Sequence, residues 1–230
     1  MINRARTTER GEHGMRVLIA TAVEVEAEAV RKGLAPGSAI VVAPIGVGPA
    51  NAAAATARLL TLAEAAGEPY DGVLSMGIAG GFADVVDLGG LVVATRSIAA
   101  DLGAQSPEGY LSIDELGFGR AVSEVDPALH ALLRGRLRDA VSGDVLTVST
   151  VTGLAGRAQE LRLRYPHAAA EAMEGAGVAA AAAACGVAYA EIRAISNAIG
   201  PRDRAAWQIG AALQALTGAA ATIGDSLEAL

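Results

Sequence analysis

Apolar residues fall along this chain in short runs that alternate with stretches of helical spacing. MRVLIATAV (15–23) has the length of a strand and is apolar on both faces, as a buried parallel strand requires. EVEAEAVRKGL then reads as a helix ending near Gly33. AIVVAPIG (39–46) is a second strand, and Gly46, Gly48 and Pro49 lead into the helix ANAAAATARLLTLAEAA, with proline at a favourable first position. DGVLSMGIAGG (71–81) is a strand entering a glycine turn, and LGGLVVATRSIAAD (88–101) is another strand. Residues 102–125 carry scattered glycines and no period, so they are expected to be irregular. PALHALLRGRLRDA is an amphipathic helix, GDVLTVSTVTG (143–153) a strand, LAGRAQELRLRY a helix and HAAAEAM a short strand. EGAGVAAAAAAC is a helix, VAYAEIRAIS a strand and DRAAWQIGAALQALTGAAATIGDSL a closing helix.

Strands alternating with helices predict one α/β domain, a mixed but mostly parallel central sheet flanked by helices. No repeat or composition break marks a second domain, so 15–230 is taken as one unit and 1–14 as a polar, disordered extension. A chain of 230 residues that is 52% hydrophobic can bury a substantial core. The net charge of −7 without a basic stripe argues against nucleic acid and anionic membrane as partners. The lone Cys185 cannot form an internal disulfide, which suits a cytoplasmic location; it is expected as a small buried thiol before a helix-ending Gly186. His13, His130 and His167 are scattered without metal-ligand spacing, and no metal or cofactor is expected.

The candidate chemistry sits at the ends of apolar elements. Glu24 and Glu26 follow the first strand; they read either as a solvated first helical turn or as a general base at a strand's carboxyl end. Gly77, Gly80 and Gly81 form either a tight turn or a floor on which a flat ligand can lie. Glu174 opens a helix, as a dipole-compatible acid or as a carboxylate gripping a vicinal diol. Asn197 ends a strand, as a turn residue or as an amide reading a heterocycle's edge. PIGVGPAN lacks the third glycine and distant acid of a dinucleotide fingerprint. Nucleophile-elbow, zincin, Walker A and C-x-x-C motifs are absent.

MRVLIATAVEVEAE, VLSMGIAGG, EAMEGAGVA and EIRAISNAIG together resemble the nucleosidase branch of the purine nucleoside phosphorylase superfamily, over nearly all of 15–225. One departure is Asn197, where the methylthioadenosine/S-adenosylhomocysteine nucleosidases carry Asp. With DLGAQSPEGYLSIDELGFG, LTVSTVTG and ISNAIGPRDRAAWQIGAAL, that departure resembles most the futalosine hydrolases, which release hypoxanthine from futalosine on a route to menaquinone.

The resemblance implies a cofactor-free N-glycosyl hydrolase with a small nucleoside as substrate, assembled as a homodimer or larger. It implies that Glu26 activates water, that Glu174 holds the ribose hydroxyls with Met173 under the sugar, and that Asn197 recognises the base. Ala79 and Gly80 would face the base. Gly153 and Leu154 fall where adenine-specific relatives carry a stacking aromatic, which this chain lacks. Arg202, Arg204 and Trp207 would reach the carboxylate-bearing tail of futalosine, or form a surface cluster at the last helix. Another purine nucleosidase, a phosphorylase, or a silent nucleoside-binding protein are the competing readings.

Overall fold

The computed structural model describes residues 14–229, so the expectation for the first residues falls almost wholly outside the described part. The elements in chain order are β1 (Val17–Thr21), α1 (Glu24–Gly33), β2 (Val41–Pro44), α2 (Pro49–Ala65), β3 (Gly72–Gly81) and β4 (Leu91–Ala99). Next come β5 (Gly103–Ser106), β6 (Gly109–Ser112), β7 (Val122–Glu124), α3 (Pro127–Arg136), β8 (Val141–Thr147) and α4 (Ala155–Arg164). The chain ends with β9 (Ala168–Ala172), α5 (Gly175–Cys185), β10 (Ala188–Ala198), a short 3₁₀ turn (Arg204–Ala206) and α6 (Ile209–Glu228).

Two parallel runs make up the sheet. One is β2–β1–β3–β10 and the other is β4–β8–β9. Antiparallel contacts join them at both junctions, β10 with β4 and β3 with β9. The strands β3, β10, β4, β8 and β9 therefore close into a ring, with β1 and β2 extending it on one side and β7 pairing with β4 on another. The expected mixed, mostly parallel sheet is present; its closure is an addition that local pattern does not carry. Closure removes free edges from the strands that frame the site.

Helices α1, α3 and α6 cover one face through Val30, Leu129, Leu133, Leu216 and Ile223, against Ile19, Leu74 and Ile192 of the sheet. Helices α2 and α5 cover another through Ala52, Leu60, Val178 and Ala182. Alanine and glycine let these two helices approach closely: a Cβ on Gly177 would lie 2.2 Å from the Pro49 carbonyl oxygen. Gly186 ends α5 at φ 66°, as expected of a C′ glycine. Cys185 just before it is half-buried rather than enclosed, because it sits where α5 leaves the core.

The segment 102–125 is more ordered than its glycines suggested. It folds as the β5–β6 hairpin followed by β7. The last helix starts at Ile209 rather than near Asp203, because 204–206 is a separate 3₁₀ turn in which the Ala205 N–H is capped by the Asp203 side chain.

Gly177→Ala should cost about 1–3 kcal/mol, because the added methyl meets backbone that cannot give. Gly218→Ala in α6 has open space around its Cβ and should instead add about 0.5–1 kcal/mol. Denaturant midpoints of the two variants check this pair of opposite signs.

Candidate active site

The carboxyl ends of β1, β3 and β10 and the β9–α5 junction converge on one charged cluster. Its centre is Arg193, which is 1% exposed on β10. Its Nε donates to Glu191 Oε1 at 2.8 Å, Nη1 to Glu174 Oε2 at 3.4 Å and Nη2 to Ser75 Oγ at 2.8 Å. Burial pulls the guanidinium pKa down, but the charges of Glu191 and Glu174 and the bond to Glu191 outweigh it, so Arg193 stays protonated. Glu191 is itself fully buried and also accepts from Ser97 Oγ and from Tyr189 Oη. Burial and the Glu191 charge push the Tyr189 phenol well above its ordinary value.

Glu26 stands at the third position of α1, 3% exposed. Its Oε2 accepts from the N–H groups of Ala22 (2.9 Å) and Val23 (3.2 Å), and its Oε1 from that of Ile78 on β3 (2.8 Å). The carboxylate thus staples the α1 N-terminus to β3. Burial raises its pKa above the ordinary 4.5, the Ile78 and Val23 bonds and Arg193 pull it back, and Glu174 adds to the rise. Glu24, by contrast, points outward and pairs with Arg31 at 2.5 Å. Glu174 is the N-cap of α5 and 5% exposed; its oxygens accept from Gly48 N and Met173 N, each at 3.3 Å.

Glycines make this convergence possible. A Cβ on Gly77 would lie 2.8 Å from Arg193 Nη1 and 2.9 Å from Glu26 Oε1, so the bare backbone lets acid and base flank it. A Cβ on Gly175 would lie 2.3 Å from Glu191 Oε1.

Beyond the charged cluster is a cavity lined by Gly80, Val151, Thr152, Glu171, Asn197, Ile199, Arg202 and Trp207, among others. Asn197 Nδ2 donates to the Ala198 carbonyl at 3.0 Å, and Oδ1 accepts from Ser196 Oγ at 2.8 Å. A carbonyl only accepts, so the atom beside it must be the amide nitrogen, and the side chain's orientation is fixed. A larger open cavity of about 460 Å³ around Arg96, Asp144 and Arg162 holds none of the expected site residues.

The comparisons with known proteins bear on this arrangement. The chain matches the model of the Phosphorylase superfamily over residues 11–230. It is 50% identical to a futalosine hydrolase of Streptomyces coelicolor, over 93% of this chain and 97% of the relative. A futalosine hydrolase of Thermus thermophilus is 37% identical over 78% of this chain and 79% of its own length. The chain belongs to the phosphorylase superfamily, in its futalosine hydrolase family. Solved structures agree in fold. A methylthioadenosine/S-adenosylhomocysteine nucleosidase of Neisseria meningitidis superposes with a TM-score of 0.75 at 22% identity, covering 94% of this chain and all of that one. A futalosine hydrolase of Helicobacter pylori gives 0.72 at 20% identity, covering 93% and 97%.

Against this family frame, the expected residues divide. Glu26 and Glu174 gather around Arg193, Met173 gives its backbone N–H to Glu174, and Gly80, Asn197, Arg202 and Trp207 line the adjoining cavity. Ala79 turns into the core; its carbonyl lies 3.2 Å from Ser196 Oγ, as an alternative acceptor for the single hydroxyl hydrogen that Asn197 Oδ1 takes at 2.8 Å. Leu154 is 72% exposed, and Gly153 lies behind the cavity, accepting the Arg202 N–H; the wall here is Val151 and Thr152 instead. These two lie in the loop after β8, which stops at Thr147, earlier than its apolar run suggested. Arg202 and Arg204 both stand over the Trp207 ring, at 5.2 and 5.7 Å from its centroid. Sequence reasoning missed Glu191, Arg193, Ser75 and Glu171. Tyr189, Glu191 and Arg193 alternate along β10, a polar stripe on one face of an otherwise apolar strand.

Arg193→Met should strand three buried carboxylates and cost about 3–5 kcal/mol at neutral pH. Glu26 already has a folded-state pKa above its ordinary value and Arg193 holds it down, so losing Arg193 raises it further; that stability is retained at low pH and lost as pH rises. The cost should therefore shrink in mildly acidic buffer, as read by urea unfolding at the two pH values.

Proposed function

We propose that the chain hydrolyses the N-glycosidic bond of futalosine, releasing hypoxanthine. The observation that carries this reading is the pairing of a buried acid cluster with a cavity whose amide is fixed as a donor, within a chain 50% identical to a futalosine hydrolase. Breaking an N-glycosidic bond passes through an oxocarbenium-like transition state, as in O-glycosides. Water must be deprotonated as it attacks the anomeric carbon, positive charge on the ribose must be stabilised, and the purine must leave as an anion.

Glu26 fits the first task. It is a desolvated carboxylate held by three backbone N–H groups, and a raised pKa makes it a stronger base. Glu174 fits the second: held by the Gly48 and Met173 N–H groups and by Arg193, it can accept from two vicinal hydroxyls and oppose the growing positive charge. Asn197 fits the third. Its Nδ2 keeps one N–H beyond the bond to Ala198, on the side of Gly80, for the N7/O6 edge of the purine. An amide gives up no proton, so the base departs as an anion stabilised by donated hydrogen bonds. Arg202, Arg204 and Trp207 form a cationic, aromatic wall suited to the substrate's carboxylate-bearing tail. The exposed Leu111 on β6 and Phe118 after the hairpin support a homo-oligomer. A cytoplasmic location rests on the lone Cys185; among the described residues no helix is long and apolar enough to cross a membrane.

Carboxylates at the β1 turn would repel inorganic phosphate, which a phosphorylase needs. Purified protein should release hypoxanthine from futalosine at the same rate with and without phosphate, and faster than it cleaves inosine or methylthioadenosine. A phosphate requirement, or a preference for methylthioadenosine, would overturn the assignment.

Glu26→Gln should lower kcat by about 100-fold or more while futalosine still binds. Because Glu26 acts ionised and its pKa is raised, the wild-type kcat/KM should fall on the acid side at a pH above 4.5. Pre-steady-state binding and a pH–rate profile check both points.

A further inference from the structure

The cavity beyond Asn197 contains a second buried polar group that the mechanism above does not use. Glu171 lies on β9 and is 5% exposed. The strand registers place it in one row with the site: Glu171 is opposite Gly80 on β3, and Gly80 is opposite Asn197 on β10. Residues directly opposed across strands share a face. Glu171 and Asn197 are thus two strand spacings apart, about 10 Å between Cα atoms, with a glycine between them. The result is a slot with a backbone floor and a polar side chain at each wall.

The carboxylate's own bonds leave it half satisfied. Thr152 donates its N–H to Oε1 at 2.7 Å and its hydroxyl to Oε2 at 2.6 Å. A carboxylate offers about four lone-pair sites, so two stay open toward the cavity. No cation is bonded to it among the described residues. Anchoring Thr152 alone needs no charge, since a neutral acceptor would do it without the cost of burying one. A desolvated acceptor aimed into a cavity calls for a donor from the ligand.

The chemistry of purines says which donor. The edge of a 6-oxopurine presents acceptors at N7 and O6 and a donor at N1–H. A 6-aminopurine presents an acceptor at N7, a donor at the amino group and an acceptor at N1. Asn197, fixed with its amide nitrogen toward Gly80, suits N7 and O6. We propose that Glu171 is a specificity-determining residue, its carboxylate accepting the N1–H of a 6-oxopurine whose N7/O6 edge is held by Asn197. The reading rests on the proposed base site and deepens it. In a 6-aminopurine the N1 lone pair would face the carboxylate, leaving a buried acceptor opposed by another, which is the larger penalty.

Binding of the free bases separates this inference from the activity. Dissociation constants of hypoxanthine, 1-methylhypoxanthine and adenine are measured by calorimetry for wild type, Glu171→Val and Glu171→Gln. Wild type should bind hypoxanthine about 10–100-fold more tightly than 1-methylhypoxanthine, which lacks the N1–H. Glu171→Val should lose most of that ratio by weakening hypoxanthine, and should bind adenine no worse than wild type. Glu171→Gln, which keeps an acceptor oxygen and the anchor to Thr152, should fall between. A merely structural Glu171 would weaken all three bases together and leave the ratio unchanged, which overturns the proposal. So does a wild type that binds hypoxanthine and its 1-methyl derivative equally, or binds no base at all; neither result needs a folded variant. Futalosine turnover by the wild type is scored apart from this: normal cleavage with a flat ratio removes only Glu171, and a Glu171-dependent ratio without cleavage removes only the proposed reaction.

Discussion

Arg193 sets the terms for everything near it. A guanidinium cannot shed its proton inside a protein, so a buried one must be met by anions or carbonyls wherever the fold places it. Here it is met by Glu191 from its own strand and by Glu174 from the β9–α5 junction, with Glu26 across Gly77. Those demands reach far into the backbone. β3 must present glycine at position 77 and α5 must begin with glycine at position 175, because any side chain would collide with the charged groups. Such a cluster adds little net stability. What it secures is a set of carboxylates held in place, away from water, where on the proposed function their charges would act strongly on a bound sugar.

One strand divides the site into two environments. Gly77 of β3 adjoins the acids, and Gly80 forms the floor between Glu171 and Asn197. Three residues along a strand span about 10 Å, the length scale of a nucleoside. The charged end suits a cationic ribose and the hydrogen-bonding end suits a leaving purine. β3 can carry both because the ring closure buries it between β1, β9 and β10, so its bare glycines line a site rather than weaken an edge.

Much of the architecture was legible in the sequence, since buried parallel strands appear as apolar runs and helices as longer periodic stretches. MRVLIATAV and DGVLSMGIAGG became β1 and β3 nearly as read. Ring closure was not legible, because it depends on β10 pairing with both β3 and β4, a long-range choice that no local pattern records. The acidic turn, the Met-Glu pair and Asn197 stood out because polar groups at the ends of apolar elements have few structural uses. Glu191 and Arg193 stayed hidden for the opposite reason: charges inside a strand read as solvent-facing, and only their alternation with Ala190, Ile192 and Ala194 betrays a polar stripe within the core. The cavity is lined by Val151 and Thr152 rather than by Gly153 and Leu154 of the same segment, and nothing periodic in the sequence fixes a loop's register after its strand ends.

Identical side chains take different characters from their donors here. Glu26 holds only backbone N–H groups and lies beyond hydrogen-bond contact with Arg193, so burial dominates and its proton affinity rises. Glu174 bonds Arg193 directly and caps a helix whose N-terminal dipole favours negative charge. Glu171 has the two Thr152 donors and, among the described residues, no bonded cation, and burial raises its proton affinity too. On the proposed function, such separate environments for like groups would let one site assign a base and an electrostatic partner. The same logic explains why an amide at 197 is compatible with the acids. On the proposed function, with two carboxylates on the sugar side, a third ionised acid facing the departing anion would oppose the charge it had to stabilise. A neutral donor held by the Ala198 carbonyl would give the base a hydrogen bond without adding negative charge.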